Sequence, residues 1–417
     1  MPQLRFPDFD GEWEPRRLGE VSTDVMYGMN ASAREFDGEH KYLRITDIDE
    51  NTRDFTPNPL TSPDEVPDIK FKLKTGDIVF TRTGASVGKT YLYNEKDGNL
   101  FFAGFLIKFS INNAHPFFIY TQTLRSPYSK WVMVMSMRSG QPGINAEEYK
   151  TLRLFLPVQP EQQKIASFFT TIDQKITQLK QKKTLLEQYK KGVMQKIFSQ
   201  EIRFKVDNNK EFPKWEKNKF SQIYSFRVTN SFSRDDLNYE EGEVKNIHYG
   251  DIHTKFQTLF DVTKEDVPFI NPDISIKRIS SDNYCKTSDM VFADASEDLV
   301  DVGKSIELVN LNNEKVLAGL HTILARPDIS RIASGFGGYL MMSIDVRKQI
   351  MKFAQGSKIT SISSTRLCDI ELNIPCPAEQ NKIADFLSAI DVKISHTQKQ
   401  IEKAETWKKG LLQKMFV

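Results

Sequence analysis

A 39-residue block of this 417-residue chain recurs at a fixed offset of 218 without a gap, and each copy has the apolar spacing of one long amphipathic helix. The first copy runs from Glu161 to Ser199 (EQQKIASFFTTIDQKITQLKQ…QYKKGVMQKIF), the second from Glu379 to Val417 (EQNKIADFLSAIDVKISHTQK…TWKKGLLQKMF). Glu161/Glu379, Ile165/Ile383, Ile172/Ile390, Asp173/Asp391, Gly192/Gly410 and Phe198/Phe416 match. Such a repeat requires two copies of a body followed by a helix, and a duplicated body suggests two copies of one binding task.

In the first helix Ile165, Phe169, Ile172, Ile176, Leu179, Leu186, Val193 and Ile197 follow steps of four and three, with Lys183 and Lys190 as polar interruptions. The second repeats the seam as Ile383, Leu387, Ile390, Ile394, Thr397, Ile401, Ala404, Lys408, Leu411 and Met415. Each rod has one apolar stripe, so pairing the rods buries both within one molecule. The expectation is an antiparallel pair, with the bodies at opposite ends and each rod about 58 Å long at ~1.5 Å per residue. A second apolar set lies off the seam, Phe168 and Phe386 at matching positions with Leu185, Tyr189 and Trp407. These residues pack either on the chain's own bodies or on a partner protein.

The bodies repeat as well, less closely. Leu4-Arg5-Phe6 matches Ile202-Arg203-Phe204, Trp13 matches Trp215, KYLRITDI (41–48) matches KNIHYGDI (245–252), and GDIVF (76–80) matches SDMVF (288–292). VGK recurs at 87–89 and 302–304, and AG at 103–104 and 318–319. The repeated pieces are short alternating runs that read as strands, and helices are expected at 117–135 and 338–355. The differences lie between them, in RTGAS against DASEDLVD and SMRSGQPGIN against AQGSKITSIS, as expected of one scaffold carrying two sets of reading loops. The boundaries that follow are 1–158 and 201–376 for the bodies, and 159–200 and 377–417 for the rods.

The net charge of +2 hides a partition. Residues 161–199 hold eight lysines against three acids and residues 379–417 seven against five, so the remainder is slightly acidic. A nucleic-acid binder of this kind gathers its basic residues on one face or has a basic partner. Three cysteines without a C-x-x-C spacing point to a reducing setting without disulfides or zinc. The start, MPQLRFPDFDGEWEP, lacks an apolar leader core, and no apolar run approaches the ~18 residues of a membrane span, so a cytoplasmic protein is expected.

Catalytic motifs are wanting. Gly84-Ala-Ser-Val-Gly88-Lys89-Thr90 resembles a phosphate loop but has three residues between the glycines instead of four, and its counterpart puts Asp298 at the leading glycine. Either loop still offers backbone N–H groups and a lysine to one DNA phosphate. His248 and His253 lack the spacing of a helical metal pair, and Asp68-Ile69-Lys70 is too short a nuclease pattern to stand alone. No G-x-S-x-G elbow and no Asn/Asp-Pro-Pro-aromatic tetrapeptide occurs. No catalytic, cofactor-binding or metal-binding residue is therefore nominated.

Together these features resemble the specificity subunit of Type I restriction-modification systems, over almost the whole chain. The resemblance rests on FPDFDGEWEPRRLGE, GDIVFTRTGASVGK, AGLHTILARP and the doubled signature PVQPEQQKIASFFTTID and PCPAEQNKIADFLSAID. It implies an α+β fold in which two repeated mixed target-recognition domains are separated by two long helices forming an antiparallel intramolecular coiled coil. It also implies a non-catalytic subunit that reads a bipartite, asymmetric site on double-stranded DNA. Two modification subunits that bind S-adenosylmethionine and methylate adenine would be its partners, with two restriction subunits that use ATP and Mg. No cofactor would belong to this chain.

On this resemblance the variable loops should carry the base readers, because Arg, Lys, Asn, Gln, Ser, Thr and Tyr match major-groove donor and acceptor patterns. The nominees are Arg44, Arg82, Ser86, Lys89, Arg138 and Gln141 in the first body, and Lys245, Tyr249, Ser296, Lys304, Lys358 and Thr360 in the second. Lys89 and Lys304 suit phosphates better than bases, since matching lysines do not explain different targets. The acids Asp294, Glu297 and Asp298 of the second loop would accept from cytosine N4 or meet another subunit. Phe168, Phe386 and Trp407 are the nominated partner contacts. Two other readings stand open: a coiled-coil scaffold that binds only proteins, and a DNA-modifying enzyme acting alone.

Overall fold

A computed structural model describes residues 2–206, 210–356 and 358–417. The polypeptide divides into two compact units, Met1–Lys180 with Lys399–Val417, and Gln181–Gln398. The division falls inside both long helices, Gln159–Phe198 and Pro377–Lys414, so each unit owns half of each rod.

The apolar seam explains that ownership. In the first unit Ile165, Phe169, Ile172 and Ile176, from the start of the first rod, share a buried cluster with Leu411, Leu412, Met415 and Phe416 from the end of the second. In the second unit the roles reverse. There Met194, Ile197 and Phe198 join Ile383, Leu387 and Ile390. Both half-pairs are therefore antiparallel, and both are continuous with the core of their own unit. Trp13 and Phe118 close on Phe416 in the first, with ring centroids 6.0 and 5.1 Å away.

The doubled signature at the rod starts is a docking device. Buried Glu161 accepts hydrogen bonds from Nε and Nη2 of Arg5, both at 2.7 Å, and buried Glu379 accepts from the same atoms of Arg203 at 3.1 and 2.6 Å. The next residue clamps the body. Gln162 accepts from the His115 N–H and donates to the Pro157 carbonyl; Gln380 accepts from the Ala333 N–H and donates to the Pro375 and Arg331 carbonyls. About two turns on, Phe168 meets Phe6 and Phe386 meets Phe204, each at 5.7 Å. This is why Leu4-Arg5-Phe6 and Ile202-Arg203-Phe204 recur: they are the arms that the rods hold.

Each body is organised alike. In the first, Glu14–Arg17 pairs antiparallel with Arg153–Leu156, the strand leading into the rod, and Glu216–Lys219 does the same with Glu371–Ile374 in the second. The main sheet of the first body orders Ser22–Tyr27, Leu106–Ile111, Asp77–Thr81 and Thr90–Leu92, all antiparallel. The second body orders Tyr224–Arg227, Thr322–Pro327, Met290–Ala293 and Ser305–Asn310, and adds Leu259–Asp261 as a parallel edge.

Several expected elements are broken. KYLRITDI is a strand only over Lys41–Leu43, because the Asp47 carboxylate folds back onto the Arg44 N–H and caps a short 3-10 turn. The helix expected over 117–135 is two, Pro116–Gln122 and Ser126–Met135, since Pro127 would clash with a continuous helix. The helix expected over 338–355 divides at Ser343, which turns extended between Phe336–Met342 and Ile344–Phe353.

Candidate nucleic-acid interface

Three segments that are remote in sequence meet at one edge of each body, and they include both loops that differ between the copies. In the first body the turn after Asp77–Thr81 bridges the loop after Ser126–Met135. Thr83 pairs with Gly143, the Gly84 N–H donates to the Pro142 carbonyl at 3.0 Å, and the Ile144 N–H donates to the Arg82 carbonyl at 2.9 Å. In the second body Ala295–Ser296 pairs antiparallel with Thr360–Ser361, and the Ile362 N–H donates to the Asp294 carbonyl at 2.8 Å. The third segment is the one beginning at Arg44 or His248, tied in by a lysine. Lys89 gives its ammonium to the Ile48 carbonyl at 3.0 Å and to Glu50, and Lys304 gives its own to the His253 carbonyl at 2.7 Å.

That lysine geometry gives VGK a packing role in both copies. Gly88 and Gly303 have φ of +84° and +63°, and a Cβ on them would fall 2.5 Å from Val132 Cγ1 and 2.9 Å from Ile350 Cγ2. Only glycine lets the chain turn there against the helix. The turn then sends the lysine inward, and Lys89 is only 4% exposed. In this conformation both ammoniums are turned to carbonyls of the chain's own third segment.

The other nominees divide. Arg44 spends Nε and Nη2 on the buried Asp47, at 2.9 and 2.7 Å, and lies at the segment junction as an anchor. The second body supplies the same anchor from elsewhere: His248 stands in Arg44's place, and Arg234 reaches Asp251 through both terminal nitrogens at 2.9 and 3.0 Å. Sequence reasoning missed Asp47, Asp251 and Arg234; the aspartate shared by KYLRITDI and KNIHYGDI was the available signal. Arg82 lies half-exposed over the Tyr27 ring at 5.0 Å, and the exposed Gln141 amide stands beside Gly84. Arg138 is exposed but held by Glu148 and by the Met135 and Met137 carbonyls. Ser86 shapes its turn through its carbonyl, which accepts from the Lys89 N–H and the Thr81 hydroxyl.

In the second body Tyr249 packs against His248 at 4.6 Å and His321 at 5.3 Å, on the same edge as Ser296 and the exposed Lys358. Thr360 is buried in its strand pair with Ser296 and presents little to a ligand. Lys245 is drawn away from the edge by Glu314 at 2.6 Å and the Phe269 ring. Burial and neighbouring Arg234 hold His248 below the usual histidine range, consistent with a neutral ring accepting from the Gly250 N–H. Burial pushes the Asp294 carboxyl up against the opposing pull of His321.

The nominated partner residues have placements of their own. Phe168 and Phe386 are half-buried against the arms, whereas Trp407 is 54% exposed beside Phe168. Tyr189, the match of Trp407 in the first rod, is 55% exposed. The nuclease-like Asp68 caps the 3-10 turn Ile69–Phe71 by accepting from the Lys70 N–H. Among the described residues no group of three or more His, Cys, Asp or Glu side chains is placed to hold a metal ion, and no helix is long and apolar enough to cross a membrane.

Known proteins place this architecture. The family model for the Type I restriction modification DNA specificity domain matches twice, at residues 10–188 and 213–406. The Type I restriction enzyme MjaVIII specificity subunit of Methanocaldococcus jannaschii is 23% identical over 428 residues, covering 99% of this chain and 93% of that protein. The crystal structure of a Type-I restriction-modification system S subunit from M. genitalium shares the fold, with a TM-score of 0.58 at 14% identity over 100% of this chain and 99% of that one. A chain from a structure of type I restriction-modification assembly gives a TM-score of 0.54 at 14% identity, over 97% of each chain. With two domain matches on two bodies of like topology, this chain belongs to the Type I restriction-modification DNA specificity family, as a specificity subunit.

Proposed function

We propose that each unit reads one half of a split, asymmetric sequence on double-stranded DNA, and that the chain itself catalyses nothing. The observation that carries this reading is the convergence, in each unit, of the segments that differ between the copies, on a frame whose repeated residues are spent on packing and docking. Two such edges of unlike composition suit two unlike half-sites. In the first unit Arg82, Gln141 and Arg138 are the readers; in the second Tyr249, Ser296 and Lys358 are. Arg44, Lys89, Lys304 and Thr360 keep the edge in shape.

Chemistry on the DNA then falls to partners. Two modification subunits carrying S-adenosylmethionine would methylate adenine, and two restriction subunits would use ATP and Mg, all in the cytoplasm. Trp407 and Tyr189, large and exposed at matching rod positions, suit a partner protein, and matching positions suit two copies of it. Phe168 lies beside Trp407, and Phe168 and Phe386 each rest on an arm, Phe6 or Phe204.

The test is a map of modified adenines on DNA exposed to the full chain with its modification subunits and S-adenosylmethionine. One split motif is expected, and replacing residues 1–150 with those of another family member should change one half of it. Sequence-independent modification, or none, would refute the proposal.

A further inference from the structure

The backbone bonds fix in space a pair of positions that head the two variable loops, RTGAS and DASEDLVD. The Arg82 N–H donates to the Phe105 carbonyl and its carbonyl accepts from the Ile144 N–H, at 3.0 and 2.9 Å. The Asp294 N–H donates to the His321 carbonyl and its carbonyl accepts from the Ile362 N–H, at 3.0 and 2.8 Å. Each residue directly follows the central strand of its sheet, Asp77–Thr81 or Met290–Ala293. Arg82 and Asp294 therefore occupy the same place in the two bodies, pinned from both sides, and their side chains have opposite charge.

Each side chain is also held ready. The Arg82 guanidinium lies over the Tyr27 ring, engaged among the described residues through Nη1 at 3.5 Å from the Gly104 carbonyl, and the Tyr27 hydroxyl is fixed by the Ala146 N–H at 3.1 Å. A guanidinium stacked in this way has lost much of its freedom before a ligand arrives. Asp294 Oδ1 lies 3.3 Å from Nδ1 of His321, outside hydrogen-bonding geometry, and is buried without a hydrogen-bond partner among the described residues. His321 itself adopts a left-handed backbone, φ +55°, which a non-glycine residue rarely does. Its ring rests on Tyr249, so the strained residue positions the carboxylate's neighbour at the reading edge.

We infer that positions 82 and 294 are the matched specificity determinants of the two units: Arg82 takes the O6 and N7 acceptors of a guanine, and Asp294 beside His321 takes the N4 amino group of a cytosine. The assignment rests on the DNA-reading function proposed above. It follows from donor–acceptor matching, since an arginine fork offers only donors and a carboxylate only acceptors. An acid on that edge would be repelled by phosphate, which leaves base contact as the productive use of Asp294.

The test uses the full chain with its modification subunits, and reads the modified motif together with binding to a randomised duplex pool. Arg82→Gln should replace a guanine preference by an adenine preference at one position of one half-site, with discrimination changed about tenfold or more, and leave the other half untouched. Asp294→Asn should weaken a cytosine in the other half and admit adenine there. Thermal unfolding checks both variants. If Arg82→Gln does not fold, Arg82→Lys carries the test, because it keeps the charge over Tyr27 and loses the fork, and guanine discrimination must fall. A wild-type complex without any split motif overturns the functional reading as a whole. A split motif whose two halves are unchanged in both folded variants, or a uniform loss of binding across all sequences, overturns this assignment alone.

Discussion

Lys190 on the first rod reaches Asp391 on the second, with Nζ 2.6 Å from Oδ1, and the residues 218 positions away in each case, Lys408 and Asp173, are also 2.6 Å apart. The two pairs interchange under the repeat, which only an antiparallel arrangement of like rods permits. The seam lysines Lys190 and Lys408 are thus register locks, each serving its own unit, whereas Lys183 pairs with Glu187 of its own helix. A polar group at a seam position sets register at some cost in stability. Lys190→Leu should therefore leave the melting temperature within a few degrees of wild type while broadening the rod's amide exchange, whereas Asp391→Leu alone should destabilise more, because Tyr339 donates to the same carboxylate. Hydrogen exchange over residues 185–198 and 383–395 measures both.

The carboxylates of the docking ion pairs are buried and their arginines partly so, so removing one partner costs more than the pair contributes. Glu379→Ala removes the counter-charge of Arg203, which keeps only the Phe212 and Pro213 carbonyls among the described residues, and leaves the Trp215 N–H without this acceptor; it should lower the stability of the second unit by about 3 kcal/mol. Glu161→Ala deprives Arg5 alone and should cost less. Denaturant titration of the two variants would show whether that order holds.

Lys89 and Lys358 separate structural from electrostatic roles. Lys89→Met should reduce stability by about 1–3 kcal/mol and leave the salt dependence of DNA binding unchanged, since its ammonium is turned to Ile48 and Glu50. Lys358→Ala should do the reverse, lowering the slope of log K against log salt by about one. Equal slopes for the two variants would show that Lys89 swings out when DNA binds.

Stability of the second unit should depend on pH through Glu307. This carboxyl is fully buried, accepts from the Gly335 and Gly338 N–H groups at 2.6 and 2.7 Å, and is pushed by burial to about 7. Its folded value lies above the unfolded one near 4.5, so the folded state retains the proton between them. The contribution is fully present below about 4.5 and is lost as pH rises through 7, on the order of 3 kcal/mol. Denaturant midpoints at pH 5 and pH 8 should differ in the wild type, and Glu307→Gln should remove most of that difference.

Arg125 holds the end of the second rod in the first unit. Its guanidinium donates to the Leu412, Phe416 and Val417 carbonyls at 3.1, 3.4 and 2.8 Å, and lies over the Phe416 ring. Arg125→Met should expose those carbonyls and cost about 2–3 kcal/mol, with faster exchange of the last helical turn. Unchanged protection there would refute the role.

The rods and the doubled bodies were legible because period and repeat are written in the order of residues. Burial of Ile165, Phe169, Ile383 and Leu387 follows directly from the seam. The site was legible as loops rather than as residues. Arg44 was nominated as a reader and Lys89 as a phosphate contact; the bond of Arg44 to Asp47 three residues on could have been suspected locally, whereas the bond of Lys89 to the Ile48 carbonyl joins segments that no local pattern brings together. The equivalence of Arg82 and Asp294 was legible, because each stands two residues beyond the matched runs GDIVF and SDMVF. What the sequence did not show is how each is pinned, by the carbonyls of Phe105 and His321 on other segments.

The stripe Ile165, Phe169, Ile172 and Ile176 is covered by Leu411, Leu412, Met415 and Phe416, which are translated more than two hundred residues later. At roughly 5–20 residues per second a ribosome needs ten seconds or more to supply that cover. Throughout that interval the nascent first body carries a bare greasy helix, an invitation to chaperones or to a neighbouring copy on the same message. Expression yield should accordingly depend on holdase supply during synthesis, even where the finished molecule is robust.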